Sequence, residues 1–222
     1  MKYTEYEVAF SPARLNRYRI ACGGDTRKTM SLYRHNVKLC QKYYGVLNIF
    51  EIILRNAIDR HYHAYFNDAD WIVNQLQSGG MLAYSPQRAE ALKHYSQLTV
   101  KGKYTPDKML SAQSFGFWTY MFNKIPFNAG GKHLLDIFPN KQTGLGQKTV
   151  YNELQEIKQF RNRIAHHEPI CFDTMGNKNL AYAQTNYKQI LKYIAFLGYS
   201  DRQLLYGYDV QTNELTNKIM NL

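Results

Sequence analysis

The chain has 222 residues, of which 45% are hydrophobic, enough for one domain with a buried core. Its 28 lysines and arginines against 17 aspartates and glutamates give a formal charge of +11, which favours a polyanionic partner such as nucleic acid. Three cysteines without paired spacing argue against a disulfide framework, and the first residues lack the apolar run of a signal peptide. We therefore expect a cytoplasmic protein without a membrane-spanning segment.

Helical periodicity begins after a pair of glycines in the first part of the chain. Asp25 or Thr26 is expected to cap a long helix, because apolar residues recur at steps of three and four from Leu32 to about Phe66. Gly45 lies within this stripe, where a glycine can bend or divide a helix. The pattern predicts a helix longer than most helices of globular proteins.

Shorter helices are predicted in the next part of the chain. One follows Asn67 or Asp68, either of which would cap it, and another has Pro86 in its first turn. An aromatic-rich helix follows a turn within residues 104–125. Glycines and prolines make residues 126–147 a loop-rich connection.

Two amphipathic helices complete the predicted fold. The first spans about residues 148–168, where apolar residues at steps of three and four define a buried face. The second lies within residues 181–199. Because alternation with a period of two is rare along the chain, the sequence predicts an all-α fold, a helical bundle in a single domain over residues 1–222.

The first of these amphipathic helices ends in the stretch QFRNRIAHHEP. Asn162 and His166 are four residues apart and lie on one side of a helix, whereas Arg161 is roughly 140° away from His166 around the axis. Pro169 disfavours helical geometry at the residue before it, so the helix is expected to end at one of the two histidines.

Two interpretations of these residues stay open. Histidine and arginine in a last helical turn can simply complement the negative end of the helix dipole and contact water, and helix physics alone favours this view. Alternatively they form an RNA-cleaving site, because imidazole transfers protons near neutral pH and guanidinium neutralises charge on a phosphoryl group. Asn162 would then orient the imidazole or hold a phosphate oxygen. Such a site needs neither a metal ion nor a cofactor, and we expect none.

The segment RNRIAHH has the R-N-x-x-x-H form of the R-(four to six residues)-H motif of HEPN-superfamily ribonucleases, which place it in a C-terminal helix. Supporting segments occur in order along residues 11–169. They are SPARLNRY, GGDTRKTMSLYRHN, EIILRNAIDRH and SFGFWTYMF. With these segments the chain resembles the Abi-like (abortive infection, AbiD/AbiF type) family of bacterial phage-defence proteins.

The resemblance implies an all-helical HEPN domain that cleaves RNA to 2′,3′-cyclic phosphate and 5′-hydroxyl ends, as a toxin-like effector in abortive infection. It assigns catalysis to Arg161, Asn162 and His166. His167 also satisfies the spacing, and the two histidines could exchange roles. Members of the superfamily generally pair two motifs in one composite site, which implies a homodimer and allows Arg161 and His166 to serve different copies of the site. A protein or RNA antitoxin and a regulatory small RNA are further expected partners.

A second stretch, RNAIDRH, repeats the pattern with Arg55, Asn56 and His61. It could supply an internal second half of the site, as in two-domain HEPN enzymes such as the RNA-guided CRISPR ribonucleases. Glu51, Arg55 and Asp59 are also spaced at four, however, and helix physics favours an ordinary ladder of charges.

Basic residues outside the catalytic set are candidates for contact with the RNA backbone, although scattered charges are usually solvated surface. They are Arg163, Lys101, Lys103, Lys124 and Lys132. Two other classes of protein stay open besides a ribonuclease: a helical protein that binds RNA without cleaving it, and a helical domain that binds another protein.

Overall fold

Helices make up 67% of the molecule, and the residues that the structure describes, 1–207 and 212–222, contain no strand. The structure is a computed structural model. The prediction of an all-α fold is confirmed. In chain order the helices are α1 (Tyr3–Phe10), α2 (Pro12–Ala21), α3 (Thr26–Phe66), α4 (Trp71–Gln75), α5 (Arg88–Val100), α6 (Pro106–Ala112), α7 (Phe115–Tyr120), α8 (Lys124–Ala129), a 3-10 helix (Leu134–Ile137), α9 (Gln147–Ala165), α10 (Ala181–Phe196), α11 (Asp201–Leu204) and α12 (Thr212–Met220).

The chain divides into two compact units. The first consists of Met1–Leu47, Gln159–Gln189 and the described part of Leu205–Leu222. The second consists of Asn48–Lys158 and Ile190–Leu204. The prediction of one domain over residues 1–222, which includes residues 208–211 outside the described part, stays a prediction.

The long helix α3 begins where its sequence predicts. The Asp25 carboxylate accepts hydrogen bonds from the backbone N–H groups of Arg27, at 2.8 Å, and Lys28, at 3.0 Å. These bonds, with that of Lys28 contributing most, lower the pKa of Asp25. The helix then continues through Gly45 without interruption, so this glycine does not divide it.

The end of α3 corrects the predicted start of the next helix. Asn67 has a left-handed backbone conformation, with a φ of 48°. Its N–H donates to the carbonyl of Ala64 and the N–H of Asp68 donates to that of His63, which together form a Schellman motif. Asn67 therefore terminates α3, and the prediction that Asn67 or Asp68 caps the following helix was wrong. The following helix, α4, begins only at Trp71.

Hydroxyl side chains set the boundaries of the helices that follow. Pro86 lies before α5 and not in its first turn. It belongs to a turn in which the Ser85 hydroxyl accepts a hydrogen bond from the N–H of Gln87, and the Ser85 carbonyl accepts one from the N–H of Arg88. The predicted aromatic-rich helix is two short helices, α6 and α7, since Thr105 and Ser114 each cap a separate start.

Aromatic side chains fill the core of each unit. In the first unit the ring of Phe160 on α9 packs edge-on against Tyr43 of α3 and Tyr182 of α10, with centroids 5.4 and 5.7 Å apart. In the second unit Trp71 and Trp118 are fully buried. No helix in the described part of the chain has both the length and the apolar character required to cross a lipid bilayer.

Candidate functional site

The helix that carries the motif, α9, ends in a turn built around His167. The N–H of His167 donates to the carbonyl of Ile164, and that of Glu168 donates to Arg163, at 3.0 and 2.8 Å. This is a second Schellman motif, and it places His167 in the left-handed region with a φ of 59°. Helix α9 therefore ends at Ala165, three residues short of the predicted 148–168.

The turn separates the two histidine side chains. Both are exposed, but His166 lines one open cavity of about 860 Å³ and His167 lines another of about 690 Å³. We call the first the polar cavity; its walls include Arg17, Asn162, Arg163, His166, Asp173 and Tyr182. The second is the aromatic cavity; its walls include Phe10, Arg14, Tyr18, Tyr33, Tyr44 and His167. Each histidine thus has its own chemical surroundings.

The polar cavity unites two of the residues assigned to catalysis from sequence. Asn162 and His166 both line it, as expected for residues one helical turn apart. Arg161 is half-buried and is not among its lining residues. Arg161 and His166 therefore diverge around α9 as predicted. Within one copy of the chain, Arg161 does not contribute its guanidinium to this cavity.

Two other arginines contribute to the polar cavity. Arg163 donates to the carbonyl of Pro169 at 2.7 Å, lies 3.4 Å from the Glu168 carboxylate and packs over the ring of Tyr182. These contacts tie the end of α9 to the turn that follows. Because arginine has five N–H donors, Arg163 can hold this turn and still donate to a phosphate oxygen, as predicted for it.

Arg17 of α2 approaches the polar cavity from the opposite end of the sequence. It donates to the carbonyl of Asp173 at 2.7 Å and packs over the ring of Phe172. The Asp173 carboxylate turns back into its own loop, where it accepts hydrogen bonds from the backbone N–H groups of Met175 and Asn177, both at 2.9 Å. Both acidic groups at this cavity, Glu168 and Asp173, are therefore already engaged.

Helix α2 also reaches the turn of α9 directly. Arg14, one turn before Arg17, donates to the carbonyl of His167 at 2.9 Å. Neither arginine is among the site residues predicted from the sequence. The signal was their occurrence together in SPARLNRY, one of the segments that carry the family resemblance.

Asn36 is a further supporting residue that the sequence did not single out. It is buried on α3, and its side-chain oxygen accepts a hydrogen bond from the backbone N–H of Ile170 at 3.0 Å. The chain directly after the histidine turn is thereby fixed to α3.

The second motif lies in the other compact unit. Arg55 donates to Asn56 at 3.2 Å, and Asp59 accepts a hydrogen bond from the Trp71 indole at 2.9 Å. His61 is half-buried and stacks parallel to the ring of Tyr65, and burial lowers its pKa. These contacts give Asp59 and His61 structural partners within the second unit, and a catalytic role for Arg55, Asn56 and His61 stays a prediction.

The remaining candidate residues are surface lysines. Lys101, Lys103, Lys124 and Lys132 are exposed and belong to the second unit. In the part of the chain that the structure describes, no three His, Cys, Asp or Glu side chains are grouped so that they could hold a metal ion.

Fold and geometry define a class of protein: an all-α, strongly basic chain in which histidine, asparagine and arginine side chains meet in one open cavity. Residues 2–171 match the family model described as Abi-like protein, so the chain belongs to the Abi-like family. The predicted family is confirmed, and it associates the chain with abortive infection. No curated protein and no solved structure matches the chain.

Replacing His167 with glycine is expected to raise the free energy of unfolding by about 0.5–1 kcal/mol, because glycine adopts the left-handed conformation without steric cost. This gain exceeds the loss that comes from the greater flexibility of glycine in the unfolded chain. Urea unfolding followed by circular dichroism measures the change. Ala165→Gly, two residues earlier at the last residue of α9, is the control and should lower stability by up to about 1 kcal/mol. A less stable His167→Gly protein would mean that the imidazole contributes more than the backbone strain costs.

Proposed function

We propose that this protein is a metal-independent endoribonuclease of the HEPN type that acts in abortive infection. The observation that carries the proposal is the polar cavity, where the exposed imidazole of His166 meets Asn162 and two guanidinium groups held in place by the protein. A formal charge of +11 and the family match add independent support.

The reaction follows from the groups present. The ribose 2′-oxygen forms a bond to the adjacent phosphorus while the bond from phosphorus to the 5′-oxygen breaks. One group takes the proton of the 2′-hydroxyl and another delivers a proton to the departing 5′-oxygen. The products are a 2′,3′-cyclic phosphate and a 5′-hydroxyl. Asn162 orients the imidazole or holds a phosphate oxygen, and Arg17 and Arg163 offset the negative charge that gathers on the phosphoryl oxygens.

One imidazole supplies only one of the two proton transfers. A homodimer in which both copies bring His166 to the same phosphate provides the second, and it also brings Arg161 of one copy towards His166 of the other. The proposed active form is therefore a homodimer.

Purified protein is expected to cleave single-stranded RNA in excess EDTA at an undiminished rate, since imidazole and guanidinium complete the chemistry without an ion. Gel electrophoresis of end-labelled RNA measures the rate, and phosphatase or kinase treatment of the products identifies the cyclic phosphate and 5′-hydroxyl ends. Loss of cleavage in EDTA with recovery on adding a divalent metal would refute the proposal.

One observation favours a second function, a helical protein that binds RNA without cleaving it. Arg161 does not line the cavity of His166 in its own copy, so a single copy offers the site of a binder as readily as that of a nuclease. The cleavage assay separates the two functions. A protein that only binds RNA forms a complex with it but yields no cleavage product at any protein concentration.

A further inference from the structure

Helix α2 and the first half of α3, which supply most of the aromatic cavity, are almost free of acidic residues, whereas α1, which supplies Ala9 and Phe10, carries Glu5 and Glu7. Residues 12–47, which include α2 and the first half of α3, contain a single acidic residue, Asp25, and its carboxylate caps α3. The same residues include eight lysines and arginines: Arg14, Arg17, Arg19, Arg27, Lys28, Arg34, Lys38 and Lys42. This concentration of one sign of charge suits a polyanion and is far stronger than the average over the chain.

A basic row runs beside the cavity on α3. Arg34, Lys38 and Lys42 recur at four-residue spacing and are exposed, so they follow one side of the helix. The neighbouring row of Val37, Gln41 and Tyr44 lines the aromatic cavity. Positive charge and an apolar recess are therefore adjacent along the same two turns of helix.

The cavity itself offers ring faces and no acidic group. Phe10 and Tyr44 are exposed to 38% and 39%, so a ligand can reach both rings. Behind them the ring of Tyr33 packs against Phe10 and Tyr18, with centroids 5.0 and 5.3 Å away. Among the lining residues, Arg14 carries the positively charged guanidinium group. Such a recess suits a flat, uncharged ring that is attached to an anion, which describes a nucleobase on its phosphate.

The two cavities are linked through adjacent residues. His166 lines the polar cavity and His167 the aromatic cavity, and Arg14 fixes the carbonyl of His167. Arg14 and Arg17 likewise lie on the same helix, one turn apart, and line one cavity each. A base in one cavity and a phosphate in the other would therefore belong to neighbouring positions of one RNA strand.

We infer that the aromatic cavity binds one unpaired base of the RNA substrate, next to the phosphate that His166 contacts, while Arg34, Lys38 and Lys42 hold the adjoining backbone. The inference rests on the proposed function for its choice of phosphate. It specifies the substrate as RNA in which at least one base is free of pairing, because a base inside a duplex cannot enter the cavity.

The test measures binding without cleavage. Single-stranded RNA with 2′-O-methyl groups lacks the attacking hydroxyl, so its affinity is independent of catalysis. Tyr44→Ala and Phe10→Ala are each expected to weaken this affinity by about 5-fold to 100-fold, the usual loss for one base-stacking contact. Tyr84→Ala removes a tyrosine that is 90% exposed and does not line the cavity, and it should bind like the wild type.

Inorganic polyphosphate serves as a probe that carries charge without bases. Its affinity should fall with salt in every variant, should be unchanged in Tyr44→Ala and Phe10→Ala, and should weaken in Lys38→Ala and Lys42→Ala. A fully paired 2′-O-methyl duplex should show the same pattern as polyphosphate.

Several outcomes would overturn the inference. One is that both ring variants, Tyr44→Ala and Phe10→Ala, bind single-stranded RNA with the affinity of the wild type. Another is that these variants lose affinity for polyphosphate as much as for RNA, which would mean that the rings only stabilise the charged surface. Self-association that depends on Tyr44, in a protein with no affinity for RNA, would assign the cavity to a second copy of the chain. If the ring variants lose RNA binding but the wild type cleaves nothing, the base cavity stands and the proposed nuclease fails.

Discussion

Replacing His166 with alanine is expected to lower the rate of RNA cleavage by at least about 100-fold, the scale of losing a general acid or base. The side chain is exposed, so its removal should leave the helical circular dichroism signal and the unfolding midpoint unchanged. Single-turnover cleavage of labelled RNA, with enzyme in excess, measures the chemical step. Binding of 2′-O-methyl RNA should survive the substitution, which separates a loss of chemistry from a loss of affinity.

His167→Ala is the matched control for this prediction. It removes an imidazole from the adjacent position, but that ring lines the aromatic cavity and not the polar one. We expect a smaller loss that appears in substrate affinity more than in the single-turnover rate. If His167→Ala abolishes the chemical step and His166→Ala does not, the two histidines have the reverse roles.

Replacing Arg161 with alanine is also expected to lower cleavage by at least about 100-fold, the scale of losing a group that stabilises transition-state charge. In one copy of the chain Arg161 lies outside the cavity of His166, so a loss of this size would place its action in the site of a second copy. Arg163→Ala would lower cleavage too, but it should also lower thermal stability, because Arg163 holds Pro169 and Glu168.

Mixed dimers distinguish the two arrangements of Arg161. When Arg161→Ala and His166→Ala proteins are combined, each inactive alone, half of the dimers contain both variants, and the shared site of such a dimer keeps one Arg161 and one His166. Cleavage should then rise above that of either variant alone if the two residues act across a twofold interface. No recovery, together with a wild-type protein that cleaves fully as a monomer, would exclude the dimer and return attention to Arg55 and His61.

The sequence was sufficient for those features of the site that depend on helical pitch. The buried face of α9, the shared side of Asn162 and His166 and the divergence of Arg161 all follow from about 100° of rotation per residue. The long helix α3 was predicted for the same kind of local reason, an apolar stripe that follows a capping side chain, with Asp25 as one of two candidate caps.

Other features depend on contacts between distant parts of the chain and could not be predicted. Nothing in the local sequence indicates that Arg14 and Arg17 contact the residues after α9. Their hydrogen bonds to the carbonyls of His167 and Asp173 form only when the fold brings α2 next to those residues. The left-handed conformation of His167 was missed for a different reason. Glycine is the usual residue at that position of a Schellman motif, and its absence hid the turn, as it did at Asn67.

The bond between Asn36 and Ile170 joins residues 134 positions apart, and the bond between Arg14 and His167 joins residues 153 apart. Contacts of such high sequence separation form late and slowly, because a long stretch of chain must be ordered before they contribute any stability. During synthesis the polar cavity is therefore incomplete in the growing polypeptide until Tyr182 has emerged from the ribosome. Whatever this cavity does to RNA, it can do only after the chain from Arg17 to Tyr182 has been translated and folded.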